Sequence, residues 1–149
     1  MADRKFNPVL AENRKARHDY TVLDTIECGI QLAGTEVKVV RHGEASLAGA
    51  YAAVLKGELF VVGMNIPVYT FGNRFNHDPK RYRKLLVHAR EIESLRLQTE
   101  AKGLTLIPLK LFLKNGRVKL DLGVCRGKAL HDKRQSLKEK ALRRDLERI

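Results

Sequence analysis

The sequence contains no tryptophan, only two cysteines and no long apolar run. Without tryptophan, any stacking on a flat base has to come from tyrosine, phenylalanine, histidine or arginine. Cys28 and Cys125 are far apart and form no C-x-x-C pair. Because no signal-peptide pattern is present either, we expect reduced thiols in a cytoplasmic protein. No apolar run approaches the ~20 residues that cross a bilayer, so no membrane-spanning helix is expected.

Acidic residues are also scarce relative to basic ones. The 149 residues include 29 lysines and arginines against 17 aspartates and glutamates, a formal net charge of +12. Such an imbalance opposes compaction and indicates a polyanionic partner, with nucleic acid favoured over a membrane surface. A membrane-surface binder needs a wide apolar helix face with bulky aromatics, which the sequence lacks. The length is typical of one domain with a buried core.

The chain divides into three parts by pattern. Residues 1–19 are polar and basic and predict a flexible arm, whereas residues 20–125 are rich in β-forming runs separated by turns. Asn115-Gly116 between two such runs predicts a type I′ hairpin, and Lys56-Gly57 a second tight turn. The predicted strands cover 20–32, 36–41, 51–55, 58–63, 66–71, 105–113 and 117–124; the predicted helices are a short one within 44–53 and a main one over 88–102. This mainly β pattern with appended helices predicts a Greek-key barrel of the oligonucleotide-binding type.

The stretch 76–92 carries the densest basic run within the barrel region. Asp78 as N-cap and Pro79 at the first helical position predict a helix start. An apolar stripe would anchor this helix: Leu85, Leu86, Ala89, Ile92 and Leu95. Its cations are Lys80, Arg81, Arg83, Lys84 and Arg90. A merely solvated face would mix charges of both signs, so the stretch favours a polyanion-binding surface.

Residues 126–149 have nine lysines or arginines, four acidic residues and no aromatic residue. Leu142, Leu146 and Ile149 fall at helical spacing, but this stripe is too narrow for a stable lone helix in water. We expect a basic tail that is disordered alone and becomes helical against a polyanion.

Several motifs, in order, carry a resemblance to a known family. They are Asn13-Arg14-Lys15-Ala16-Arg17-His18, Glu27-Cys28-Gly29-Ile30, Gly34-Thr35-Glu36-Val37-Lys38, Asn76-His77-Asp78-Pro79, Arg83-Lys84-Leu85-Leu86, Gly127-Lys128 and His131-Asp132-Lys133-Arg134. Over 13–149 the sequence resembles the SmpB (SsrA-binding protein) family of bacterial trans-translation. Two departures are Val39, where the family often has serine, and Ala129 in place of a second lysine.

The resemblance implies an RNA-binding protein that catalyses no reaction and needs no cofactor. Family members bind the tRNA-like domain of transfer-messenger RNA (tmRNA, SsrA RNA) with their barrel and bring it to ribosomes stalled on non-stop mRNA. The tail then occupies the empty mRNA channel near the decoding centre of the small subunit. By the same resemblance we expect a monomeric, cytoplasmic, bacterial protein with no membrane partner.

The resemblance also implies the residues that contact RNA and ribosome. The RNA-binding set is Asn13, Arg14, Lys15, Glu27, Arg83, Lys84, Leu86, His88 and Lys119. The tail set is Arg126, Lys128, His131, Asp132, Lys133, Arg134 and Ile149. The cations can neutralise phosphates, and Asn13 and His88 can hydrogen-bond to base edges or 2′-hydroxyls. Leu86 can pack on an unstacked base. Glu27 suits a base amino group, although a carboxylate paired with a nearby arginine is equally plausible.

Two other function classes compete with this interpretation. His77-Asp78 beside cations could suggest a ribonuclease, but there is no His pair at metal-ligand spacing and no nucleophile elbow, so no catalytic or metal residues are expected. A generic rRNA-binding, ribosome-associated barrel protein is the alternative, since charge and fold alone do not exclude it. The patterned tail favours the first interpretation.

Overall fold

The computed structural model describes residues 8–70, 76–127 and Leu142. Seven strands and three helices follow in the order β1 (Val9–Glu12), α1 (Arg14–Asp19), β2 (Tyr20–Ile30), α2 (Gly34–Arg41), β3 (Tyr51–Leu55), β4 (Glu58–Val62), β5 (Arg83–Leu86), α3 (Ala89–Lys102), β6 (Thr105–Lys114) and β7 (Arg117–Gly127).

Six of the strands form a closed antiparallel barrel. Neighbouring strands pair in the order β6, β3, β4, β5, β2 and β7, and a further β6–β7 pairing closes the ring. The short β1 pairs with β6 beside the ring. The predicted mainly β barrel with appended helices is confirmed.

Both predicted hairpin turns are present. Asn115 and Gly116 have φ of 53° and 75°, and the Lys114–Arg117 pair closes the turn between β6 and β7. Lys56 and Gly57 have φ of 51° and 78° between β3 and β4. Positive φ at both central residues is the signature of the type I′ turn, whose twist matches that of the flanking strands.

Two apolar clusters lie on opposite faces of the barrel wall. The larger one contains side chains from all six barrel strands, together with Val39 and Val40 of α2 and Leu95 of α3. A second cluster, called the outer apolar face here, consists of Ala16, Tyr51, Ala53, Leu55, Val62, Ile107, Leu109, Cys125 and Leu142. Along β3 the clusters alternate residue by residue, as the pleat requires.

Three predicted elements differ from the structure. Residues 36–41, predicted as a strand, belong to helix α2. Residues 44–50 of the predicted short helix lie outside helices and strands except for a bridge from Ser46 to Asn65, and β3 follows them. Residues 66–70, the described part of the predicted strand 66–71, belong to no strand of the sheet. In each case tertiary contacts outweigh weak local propensity.

The stretch 76–92 is also built differently from the prediction. No helix begins at Pro79: Asp78 Oδ1 accepts the Lys80 N–H at 3.0 Å within a turn, and β5 follows. Helix α3 starts only at Ala89 and ends at Gly103, which has a left-handed φ of 66°. The predicted main helix over 88–102 is therefore confirmed, but the basic run before it lies on a turn and a strand.

The predicted flexible arm is ordered where it is described. Residues 9–12 pair with β6, and the Asn13 N–H donates to Leu109 O at 2.8 Å. Residues 14–19 form α1, which packs on β2 and β6. Residues 1–7 lie outside the described part.

A buried ion cluster joins α2 to β5. Glu36 and Arg83 are both fully buried, and Arg83 Nε donates to Glu36 Oε2 at 2.7 Å. Arg81 reaches the same carboxylate with two donors, at 2.6 and 3.0 Å. The remaining Arg83 donors bind backbone carbonyls, including those of Met64 (2.9 Å) and Pro79 (3.1 Å). Arg83 thus connects the start of α2, the loop before β5 and the chain after β4.

Replacing Arg83 with alanine should destabilise the barrel by about 3–5 kcal/mol, because Glu36 and several carbonyls would lose a buried partner. Urea unfolding measures this loss. Lys84→Ala is the matched control, since the ion pair of Lys84 is with the exposed Glu58 and such pairs contribute under about 1 kcal/mol. Equal effects of the two substitutions would contradict the central position of Arg83.

Glu36 also predicts an acid dependence of stability. Burial alone would raise the pKa of Glu36, but hydrogen bonds from Arg81, the Ala33 N–H and Arg83 hold it below its usual value of 4.5. A carboxylate whose pKa is lower in the folded than in the unfolded state stabilises the fold at pH values above its unfolded-state pKa. This stabilisation is lost as the pH falls through the folded-state pKa. The difference in unfolding free energy between wild type and Glu36→Gln should therefore be largest above about pH 5 and narrow on acidification. A constant difference across a urea series at several pH values would refute this.

Candidate nucleic-acid interface

Four of the predicted RNA-binding residues converge on one groove of the barrel. Glu27, Leu86, His88 and Lys119 line it together with Gly29, Val87 and Glu91, and its volume is about 390 Å³. They come from β2, β5, the start of α3 and β7. Gly29 pairs with both Leu86 and Lys119 across the sheet, so strand register brings these distant positions side by side.

Gly29 is a residue of this groove that the sequence-based site did not include. A Cβ at this position would lie 3.2 Å from the Leu86 Cβ, tighter than most such contacts. Glycine therefore allows Leu86 to pack directly over β2 while remaining 50% exposed. The signal was present in the Glu27-Cys28-Gly29-Ile30 motif, but only the β2–β5 register shows what the glycine faces.

The partner of Glu27 is a lysine. Lys114 Nζ lies 3.0 and 3.2 Å from the two Glu27 carboxylate oxygens. Both side chains are about 40% exposed, so this pair is open to solvent and to a ligand. Of the two expectations for Glu27, the structure of the free protein shows an ion pair, with Lys114 in place of the expected arginine.

His88 stands at the mouth of the groove, where it precedes helix α3. Its N–H donates to Glu91 Oε1 at 3.1 Å, which fixes the start of the helix, while the imidazole is exposed. A neighbouring groove of about 340 Å³ shares Gly29, Leu86 and Lys119 and adds Arg117 and the apolar Val37. Two cations thus flank an apolar floor, a combination that can hold phosphate and base together.

Asn13, Arg14 and Lys15 lie elsewhere, at the start of α1. Asn13 is buried; its amide donates to Leu47 O (3.3 Å) and Pro108 O (3.1 Å), and its Oδ1 accepts the Ala16 N–H (3.2 Å). Asn13 therefore holds α1 against the barrel, and a base contact would require these bonds to break. Arg14 and Lys15 are exposed, with Arg14 Nε 3.8 Å from Glu12.

Arg83 was predicted as an RNA contact, but in the folded barrel it does not lie at the surface. Its side chain is fully buried, and its donors are directed to Glu36 and to backbone carbonyls. The reason is the two-residue period of β5, which turns Arg83 and Leu85 inward. Lys84 points outward but pairs with Glu58 at 2.7 Å and lines neither groove.

Of the predicted tail residues, Arg126 is exposed near the end of β7. The others lie outside the described residues: Lys128, His131, Asp132, Lys133, Arg134 and Ile149. The predictions that the tail is disordered alone and becomes helical when bound concern residues 126–149, of which the structure describes only 126, 127 and Leu142.

His77, which was considered for catalysis, has structural partners, and both cysteines are buried. Both ring nitrogens of His77 are engaged, Nδ1 with Thr35 Oγ1 and Nε2 with Ile66 O, each at 2.8 Å. Burial raises the pKa of the Cys28 and Cys125 thiols to about 12 and 11, so both stay neutral at ordinary pH. Within 8–70 and 76–127, no group of three potential metal ligands occurs, and no described helix is long and apolar enough to cross a membrane.

Comparison with known proteins reveals close relatives. A family model described as SmpB protein matches residues 10–149. The chain is 59% identical over 139 residues to the SsrA-binding protein of Staphylococcus haemolyticus (strain JCSC1435), covering 93% of this chain and 89% of the relative. It is 57% identical over 148 residues to the SsrA-binding protein of Staphylococcus aureus (strain JH1), covering 99% and 96%.

A solved structure shows the same fold. A chain from work described as "tmRNA-SmpB: a journey to the center of the bacterial ribosome" superimposes with a TM-score of 0.67 and 48% identity, over 81% of this chain and 85% of that one. Because the family model spans nearly the whole sequence and the relatives match it end to end, the chain belongs to the SmpB family.

Proposed function

We propose that this protein is a non-catalytic RNA-binding factor of trans-translation that recognises the tRNA-like domain of tmRNA. The observation that supports it most directly is the convergence of Glu27, Leu86, His88 and Lys119 on one groove, from elements distant in sequence. The names of the relatives and of the solved structure support the choice of RNA.

The groove offers complementary contacts to a folded RNA. Lys119 and the neighbouring Arg117 supply positive charge for phosphates, while the half-exposed Leu86 supplies an apolar surface for an unstacked base. His88 offers a hydrogen-bonding edge, and Glu27 can accept from a base amino group if it releases Lys114. Because all of these groups except His88 sit on paired strands, their spacing is rigid and suits recognition by shape.

The tail contributes the second half of the proposal. We infer that residues 126–149 enter the empty mRNA channel of a stalled ribosome near the decoding centre, so that barrel-bound tmRNA is accepted there. The support is the basic sequence of this segment, including the His131-Asp132-Lys133-Arg134 motif. The two functions thus lie on separate parts of the chain.

Lys119→Gln should weaken binding to the tRNA-like domain. It should also make the slope of log K against log[salt] shallower by the contribution of about one phosphate contact. Titrations at two salt concentrations measure both quantities. Lys84→Gln is the matched control: it also removes one lysine charge, but away from the groove, and should leave the slope nearly unchanged. Identical slopes for the two variants would place the RNA elsewhere.

The same titration should be run with ordinary tRNA and with an unrelated hairpin of equal length. A preference for the tRNA-like domain that persists at higher salt supports shape recognition by the groove. Equal binding of all three RNAs, lost together as salt rises, would favour a generic rRNA-binding protein instead.

Replacing Lys133 and Arg134 together with alanine should leave affinity for the tRNA-like domain largely unchanged but abolish tagging on stalled ribosomes, because tail cations would no longer meet rRNA phosphates. A filter-binding assay and an in vitro tagging assay on the same variant separate the two effects. The opposite result would be a variant that binds tmRNA weakly but whose bound complexes still support normal tagging. That result would show that the two functions were assigned to the wrong segments.

A further inference from the structure

The tip of the β6–β7 hairpin carries more positive charge than its strand pairing favours. Lys114 and Arg117 lie directly opposite each other on either side of the Asn115-Gly116 turn. Like charges in such a cross-strand pair repel each other and destabilise the hairpin. Lys119 follows Arg117 by two residues, so the two side chains lie on the same face of β7. Three cations on one surface of a short hairpin favour an anionic partner.

Of these three cations, Lys114 has an acidic partner within the described residues. Its Nζ lies 3.0 and 3.2 Å from the two carboxylate oxygens of Glu27. Within 8–70 and 76–127, neither Arg117 nor Lys119 forms an ion pair. The Lys114 and Glu27 side chains are 42% and 40% exposed. Because an ion pair this exposed contributes little to stability, a ligand can replace one of its members at small cost.

Glu27 is an acidic residue in a groove that otherwise suits RNA. It lines the 390 Å³ groove together with Leu86, His88 and Lys119. An ionised carboxylate only accepts hydrogen bonds, through two neighbouring oxygens, so in an RNA complex it requires donors from a base or a ribose. Guanine alone among the four bases presents two adjacent donors on its Watson–Crick edge, N1–H and the N2 amino group. Adenine, cytosine and uracil each place an acceptor beside their donor, so Glu27 favours an unstacked guanine.

Lys114 and a guanine edge would use the same acceptors. Lys114 Nζ contacts both Oε1 and Oε2 of Glu27, and a guanine edge needs both of these oxygens for its two donors. A base that takes the carboxylate therefore releases Lys114, which can then bind a phosphate next to Arg117. No charge loses its partner in this exchange, because Glu27 keeps two hydrogen-bond donors and Lys114 keeps an anion.

We propose that Glu27 and Lys114 form an exchangeable pair: an unpaired guanine of the RNA replaces Lys114 on Glu27, and Lys114 moves to a backbone phosphate. Glu27 then supplies base specificity, while Lys114 and Arg117 extend the phosphate contacts from the groove onto the β6–β7 hairpin. This inference rests on the proposed function, because it requires RNA in the groove. It adds Lys114 to the RNA-binding residues and assigns guanine as the base that Glu27 reads.

The salt dependence of binding to the tRNA-like domain tests the part played by Lys114. In the full-length protein, Lys114→Gln should make the slope of log K against log[salt] shallower by the contribution of about one phosphate contact. Lys114→Arg keeps the charge and should keep the wild-type slope. Lys84→Gln is the matched control, because Lys84 forms a similarly exposed ion pair with Glu58 but lines neither groove. A wild-type slope in Lys114→Gln would overturn the exchange.

Inosine substitution in the RNA tests the base. Inosine lacks the 2-amino group of guanine, so it removes one of the two donors to Glu27. When unpaired guanines of the tRNA-like domain are replaced one at a time, one position should weaken binding of the wild-type protein by about tenfold, as expected for a hydrogen bond to a charged group. Glu27→Ala should bind the guanine and inosine forms at that position equally. If no position shows the loss, or if Glu27→Ala shows it too, the assignment of guanine is wrong.

Lys119→Gln distinguishes failure of this inference from failure of the proposed function. If Lys119→Gln makes the slope shallower but Lys114→Gln does not, RNA binds the groove while Lys114 stays on Glu27, and only the exchange is refuted. If neither variant changes the slope and no guanine matters, the RNA binds elsewhere and both proposals are wrong. Urea unfolding of each variant establishes that the barrel remains folded in these comparisons.

Discussion

The described part of the fold depends on the buried carboxylate of Glu36 and the two arginines that neutralise it. Glu36 lies at the start of α2, and Arg81 and Arg83 reach it from the turn before β5 and from β5 itself. A buried charge is tolerated only when its partner and its hydrogen bonds are complete. The cluster therefore holds α2, the loop and β5 in one arrangement.

That arrangement determines the candidate interface. With Arg83 directed inward, the strand period places Leu85 in the core and Leu86 outward, where it faces Gly29 of β2. Lys119 enters from the other side of Gly29 through the β2–β7 register. The groove is thus a product of strand pairing, and an RNA that matches its spacing meets a rigid surface. Arg83 therefore shapes this groove from the interior, by holding the strand that carries Leu86.

The barrel wall has two faces with different uses. The inner face forms the core, while the outer apolar face includes Ala16 of α1 and Leu142 and has Tyr20, Val22, Phe60 and Tyr82 packed against it.

The sequence by itself determined the features that rest on local chemistry: the type I′ hairpin at Asn115-Gly116, the main helix ending at Gly103, the β-rich barrel, and the basic character that indicates a polyanionic partner. These features follow from backbone preferences, periodicity and charge, which are properties of residues close together in sequence and need no tertiary contacts. Only the tertiary structure decided the opposite roles of Arg83 and Lys84, the burial of Asn13, and the helical state of residues 36–41. These features depend on contacts across 26 to 95 positions of the chain. Adjacent residues on a strand also face opposite sides, so the local pattern cannot assign them.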